Sequence, residues 1–99
     1  MITGWEPPEE LFAVLVRRVT EFTERVAAHR LRITQSGVTV DMSATGELTE
    51  VRFEPRLRNR TEPAQLAGLV MAAIRTAELA AARRRAEIAE ELETTWRNS

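Results

Sequence analysis

The chain reads as an α+β protein: a long helix, a three-stranded antiparallel meander, then a second long helix. Three observations predict this. Val38, Val40 and Met42 alternate with Thr39, Asp41 and Ser43, which is the period of a half-buried strand. After a turn at Ala44-Thr45-Gly46-Glu47, Thr49, Val51 and Phe53 alternate with Glu50, Arg52 and Glu54. Segments with apolar residues at helical spacing flank this unit on both sides.

The first helix is expected from Pro8 to about Ala28. Pro7-Pro8-Glu9-Glu10 puts proline and acids at the positive end of a helix dipole. Phe12, Leu15, Val19, Phe22 and Val26 follow at alternating spacings of three and four, an a/d seam. His29 to Gln35 reads as the first strand, with Leu31 and Ile33 on one face and Arg30 and Arg32 on the other. Ser36-Gly37 turns it into the second strand. Gly46 is free to take positive φ in the next turn. Pro55 ends the third strand because it has no N–H for a ladder. Arg56 to Arg60 reads as a polar loop. The second helix is expected from Glu62 to about Thr94, with Thr61 or Glu62 as cap. At 1.5 Å per residue it would be roughly 50 Å long. Its front half is rich in Leu, Val, Ile and Ala. Its back half is charged, with Ile88 and Leu92 as an i, i+4 apolar pair. Phe12, Phe22, Met71 and Ala73 read as core. His29 reads as a capping or surface residue, Trp5 as docking on the core or a partner, and Trp96 as packed or frayed.

The 99 residues form one expected domain, with residues 1–8 a loose leader and 95–99 a frayed tail. A chain this short buries a modest core and gains from dimerisation. The apolar face of the meander needs the helices as its cover. There is no cysteine, one histidine (His29) and one aspartate (Asp41). Thiol chemistry and a zinc–thiolate site are excluded, and a Ser–His–Asp arrangement has no nucleophile motif. The glycines at 4, 37, 46 and 68 are isolated, so no phosphate-cradling loop exists. The chain is expected not to be an enzyme and to need no cofactor and no metal. With no signal-peptide pattern and no uninterrupted apolar run of about 18 residues, it is expected in the cytoplasm, away from membranes.

Net charge is −1, and all 14 basic residues are arginine. Their placement is uneven. Arg17, Arg18 and Arg25 lie on the first helix, Arg56, Arg58 and Arg60 in the following loop, and Arg83, Arg84 and Arg85 in the second helix. Acids concentrate in the second and third strands and between Glu87 and Glu93. The helix arginines also read as solvated faces or as partners of Glu87, Glu90 and Glu91 at helical spacing.

The strand unit resembles the YbaB/EbfC nucleoid-associated family. Val38, Val40, Gly46, Leu48, Val51, Phe53, Glu54, Pro55 and Leu57 match that family's core pattern. Leu66, Leu69, Val70, Ala73, Ile74 and Ala77 match the helix after it. The resemblance covers about Leu11 to Ala82. It departs from the pattern at Ser36-Gly37, where relatives carry a Gly-rich turn, and at Glu54, where they carry Asp. The resemblance implies a homodimer formed through the sheet and second helix, with projecting helices that hold duplex DNA like tweezers. The nine clustered arginines named above would then contact phosphates with little base readout, in the nucleoid. The alternative is a dimeric scaffold or adaptor, for example a secretion-associated one, with a protein partner and no DNA role.

Overall fold

The structure is a computed structural model that describes residues 8–98, apart from the side chain of Arg60. Trp5 lies outside the described residues. Helix α1 spans Glu9–Ala28, strand β1 Arg30–Gln35, β2 Val38–Ser43 and β3 Leu48–Phe53. A short helix α2 spans Pro55–Arg60, and α3 spans Pro63–Arg97. The strands form one antiparallel sheet in the order β1-β2-β3.

Local chemistry explains both hairpins. Gln35 pairs with Val38 across a two-residue turn in which Ser36 has φ 53° and Gly37 φ 80°. Two left-handed residues are what a type I′ hairpin requires. The β2–β3 turn is closed by Gly46 N–H donating to the Ser43 carbonyl (2.9 Å) and Ser43 N–H donating to the Glu47 carbonyl (2.9 Å). Gly46 sits there at φ 92°.

The register corrects the alternation in β3. Asp41 pairs with Glu50 and Met42 with Leu48, so Thr49 is an extra, bulged residue. Its hydroxyl donates to the Asp41 carbonyl at 3.0 Å. Leu48, not Thr49, therefore faces Met42.

One core lies between the sheet and the front half of α3. Val38, Val40 and Met42 of the central strand are buried against Ala73, Ala77 and Ala81. Alanine at every fourth position lets the helix backbone lie close to the sheet. Leu31, Ile33, Val51 and Phe53 flank this stripe from the edge strands. A second cluster joins the end of α1 to the back half of α3. Val26, Ala44, Ile88 and Leu92 are buried there, with Phe22 and Trp96 packed against them. Burying Ile88 and Leu92 contributes about 1.5–3 kcal/mol each.

Several expectations change. The segment after Pro55 is a helical turn rather than a loop, because proline at the first helical position presets φ. β1 begins at Arg30 rather than His29. The second long helix begins at Pro63 and runs to Arg97, past the expected end at Thr94 and through the tail expected to fray. Packing of Trp96 on the second cluster holds that last turn. Phe12 (61% exposed) and Met71 (49%) are not core. By length and composition α3 is apolar enough to cross a membrane. In this fold its inner alanines close the sheet, while Met71 and Leu79 (74% exposed) face away.

Candidate nucleic-acid interface

The nine candidate arginines fall into two groups at opposite ends of the sheet. Arg56, Arg58 and Arg60 lie on α2, beside the β1–β2 turn, where Leu57 and Glu54 approach Gly37. The other six lie on α1 and the back half of α3, of which Arg85 reaches the β2–β3 turn. The described chain extends 64 × 31 × 16 Å, so a single copy presents two separate basic regions.

Within the second group most guanidinium groups are already engaged. Arg85 is half-buried and donates from Nη1 to the Ala44 carbonyl at 2.7 Å, pinning the β2–β3 turn to α3. Arg84 bridges Glu87 at 2.9 Å and Glu91 at 3.1 Å. Arg25 reaches Glu91 from α1 at 2.8 Å. The hydrogen bonds from Arg25 and Arg84 hold the Glu91 carboxyl below its ordinary pKa, against the partial desolvation that raises it. Arg18 lies over the Trp96 ring, 5.2 Å from its centroid, a cation–π contact. Arg17 and Arg83 are exposed and make no ion pair among the described residues.

On α2, Arg58 is exposed and likewise makes no ion pair among the described residues. Arg56 is exposed and pairs with Glu54 at 3.4 Å. A pair that open contributes little to stability. Arg58 and Arg52 line one hollow beside the edge strand β3, with Phe53 and Leu66 as its apolar floor.

Two exposed arginines outside the candidate clusters also make no ion pair among the described residues. Arg30 begins β1, and Arg75 sits on α3 two residues before the buried Ala77, on the opposite face of the helix. Arg75 is isolated in sequence, so a search for runs of charge passes over it, and Arg30 alternates with Arg32 in a strand. Helical phase was the available signal for Arg75. The solvent face of the sheet is charge-balanced. Asp41 accepts from Arg32 Nε at 2.8 Å and from Arg52 Nη2 at 3.3 Å. Among the described residues no group of three or more His, Cys, Asp or Glu side chains is placed to hold a metal ion.

Helix, three-stranded meander, short helix and long helix, with arginines on all three helices, define a small α+β protein. The model of the YbaB/EbfC DNA-binding family matches residues 14–95, and the chain belongs to that family. Its fold is similar to the crystal structure of the uncharacterized protein HP0035 from Helicobacter pylori. The TM-score is 0.65 at 19% identity, over 89% of this chain and 98% of that one. No curated protein matches the chain.

Proposed function

We propose that the protein is a homodimer that binds duplex DNA in the cytoplasmic nucleoid, through arginine–phosphate contacts with little reading of base sequence. Membership of a DNA-binding family, by a match over residues 14–95, is the observation that carries this reading. The geometry supports a narrower set of contacts than the sequence alone suggests. Arg56 and Arg58 on α2, with Arg60, and Arg17 and Arg83 on the long helices are the cations offered to phosphate. Arg25, Arg84 and Arg85 hold the fold together. Arg17, Arg56, Arg58 and Arg83 are all exposed, which suits binding directed at the phosphate backbone rather than at base edges.

Dimerisation is supported by the outer face of α3. Its inner stripe closes the sheet, yet Met71 and Leu79 remain exposed on the other side among Gly68, Ala82 and Ala86. Gly68, Ala82 and Ala86 leave room there for a second helix, with Arg75, one turn from both Met71 and Leu79, on the same face. Two copies double each basic region, which compensates for the small number of free cations in one.

A scaffold or adaptor without a DNA role is the second reading. The salt bridges that occupy Arg25, Arg32, Arg52, Arg56, Arg84 and Arg97 favour it, because they neutralise much of the positive charge internally. A gel shift with unrelated duplexes at two salt concentrations separates the readings. Phosphate-directed binding weakens steeply as salt rises, whereas a protein partner held on an apolar surface stays bound. No shift at about 50 mM salt with any duplex would favour the scaffold, since non-specific affinity at low salt is the minimum such a protein must show.

A further inference from the structure

Thr61 stands in the link between α2 and α3, directly after the arginines of α2. Arg56, Arg58 and Arg60 occupy the fifth, third and first positions before it. Regularly spaced cations ahead of a hydroxyl are a charge pattern that the acidic substrate cleft of an arginine-directed Ser/Thr kinase reads. Elsewhere in the chain only Thr20 has an arginine three positions before it, Arg17.

The fold separates these two hydroxyls. Thr20 lies in the middle of α1, where helical hydrogen bonds close the backbone. A cleft that takes its substrate as an extended segment requires that helix to open. Thr61 and Glu62 are already extended, at φ −113°, ψ 132° and φ −64°, ψ 146°. The Thr61 N–H donates to the Leu57 carbonyl at 3.2 Å, and its hydroxyl has no hydrogen-bond partner among the described residues. Helix α2 ahead of it is six residues long with no side-chain cap. So short a helix opens at small cost, which lets its arginines enter the cleft.

A phosphoryl group at this position has partners at hand. Thr61 and Arg56 line one hollow beside the β1–β2 turn, together with Ser36, Gly37, Glu54 and Leu57. Arg56 now holds only the exposed Glu54 pair at 3.4 Å. A phosphothreonine carries about −1.5 to −2 charges near pH 7 and binds a guanidinium more strongly than one carboxylate does. The first turn of α3 follows at once. It contains no acid, and Glu62 gives it no cap hydrogen bond, so the positive end of that helix dipole favours added negative charge.

We propose that Thr61 is a phosphorylation site for an arginine-directed Ser/Thr kinase, and that its phosphoryl group closes α2 to nucleic-acid phosphate. In the transfer the Thr61 hydroxyl oxygen bonds to the terminal phosphorus of a nucleoside triphosphate. The bond from that phosphorus to the nucleoside diphosphate breaks, and the hydroxyl proton passes to the kinase's base. The arginines of α2 then neutralise a phosphate of their own chain. This consequence rests on the DNA reading above, whereas the site itself does not.

The folded protein is incubated with ATP and the catalytic domain of protein kinase B, and the product is mapped by peptide mass spectrometry. One phosphoryl group should appear, on Thr61. Thr61→Val should take up none. Arg56→Ala with Arg58→Ala should take it up on the order of tenfold more slowly. Phosphorylation should lower duplex affinity on the order of tenfold at about 100 mM salt, with a log–log salt slope shallower by about 1–2. Thr61→Val treated in the same way should bind as the parent does. Modification at Thr20 or Ser36 instead, or none at all, would overturn the site. Thr61 modified with duplex affinity unchanged would overturn the switch. A parent protein that binds no duplex would remove the DNA reading and the switch together, while the mass result would still decide the site.

Discussion

Arg85 and Ala44 are 41 residues apart in sequence and joined by a hydrogen bond of 2.7 Å from the guanidinium Nη1 to the backbone carbonyl. This bond ties the tip of the β2–β3 hairpin to α3 at the point where the helix leaves the sheet. Ala44 is fully buried, and its N–H donates to the His29 carbonyl at 2.9 Å. The turn is thus held between the end of α1 and the middle of α3. Arg85→Met keeps much of the packing but leaves the Ala44 carbonyl without this donor. Stability should fall by about 1–3 kcal/mol, read as a shift in the urea midpoint. Arg58→Ala, on the exposed face of α2, should change stability by less than about 0.5 kcal/mol.

Gly46 holds the same turn by a different means. Its φ of 92° is strained for any residue with a Cβ, although the nearest side-chain atom to an added Cβ, Arg85 Nη1, is 3.7 Å away. Space is therefore available and backbone conformation decides. Gly46→Val should destabilise by about 1–2 kcal/mol, and a melting temperature equal to that of the parent would contradict the turn described above.

Asp41 gives the sheet a pH dependence. The hydrogen bond from Arg32 holds its carboxyl below the ordinary value, helped by the charges of Arg32 and Arg52 and opposed by partial desolvation. A carboxyl with a lowered folded-state pKa adds stability that is present above its unfolded pKa, about 3.9. That stability is lost as pH falls through the folded value. Asp41→Asn should accordingly melt at a lower temperature than the parent at pH 7. The gap should close as pH is taken below about 4, and a gap unchanged at acidic pH would count against the Arg32–Asp41–Arg52 cluster.

The α3 face predicts the assembly state. The parent protein should sediment at about twice 11.2 kDa at micromolar concentration. Leu79, 74% exposed in one copy, stands at the middle of the face assigned to the partner. Leu79→Glu should return the protein to its single-chain mass with little loss of secondary structure by circular dichroism.

Helix α2 predicts the response to salt. Changing Arg56, Arg58 and Arg60 together to alanine should weaken binding to every duplex alike. The log–log salt slope should become shallower by about 0.9 for each phosphate that is no longer neutralised. Dimer mass and melting temperature should stay nearly unchanged, because Arg56 and Arg58 are exposed and such arginines contribute little to stability.

Residue order alone determined the two long helices, the three strands and much of the core. The alternation Val38, Val40, Met42 has period two and admits one reading, and all three residues are buried. Ile88 and Leu92 stood out as an i, i+4 pair in a charged stretch, and both are buried. Such signals are local, since strand and helix periodicity are properties of a short window. The bulge at Thr49 escaped that reading because it is a relation between two strands. The seam of α1 shows the same limit from another side. Phe12, Leu15, Val19, Phe22 and Val26 form one seam, yet only Phe22 and Val26 pack in the cluster with α3, while Leu15 and Val19 line an open hollow with Ala89 and Trp96 near its end. Arginine clusters could be counted in sequence. Only the tertiary structure decided that Arg25 and Arg84 share Glu91 and that Arg85 caps a turn, while Arg17, Arg58 and Arg83 are left to solvent. A charge is free or engaged according to which acids and carbonyls the fold brings within about 3 Å of it, and those partners come from elements far apart in the chain.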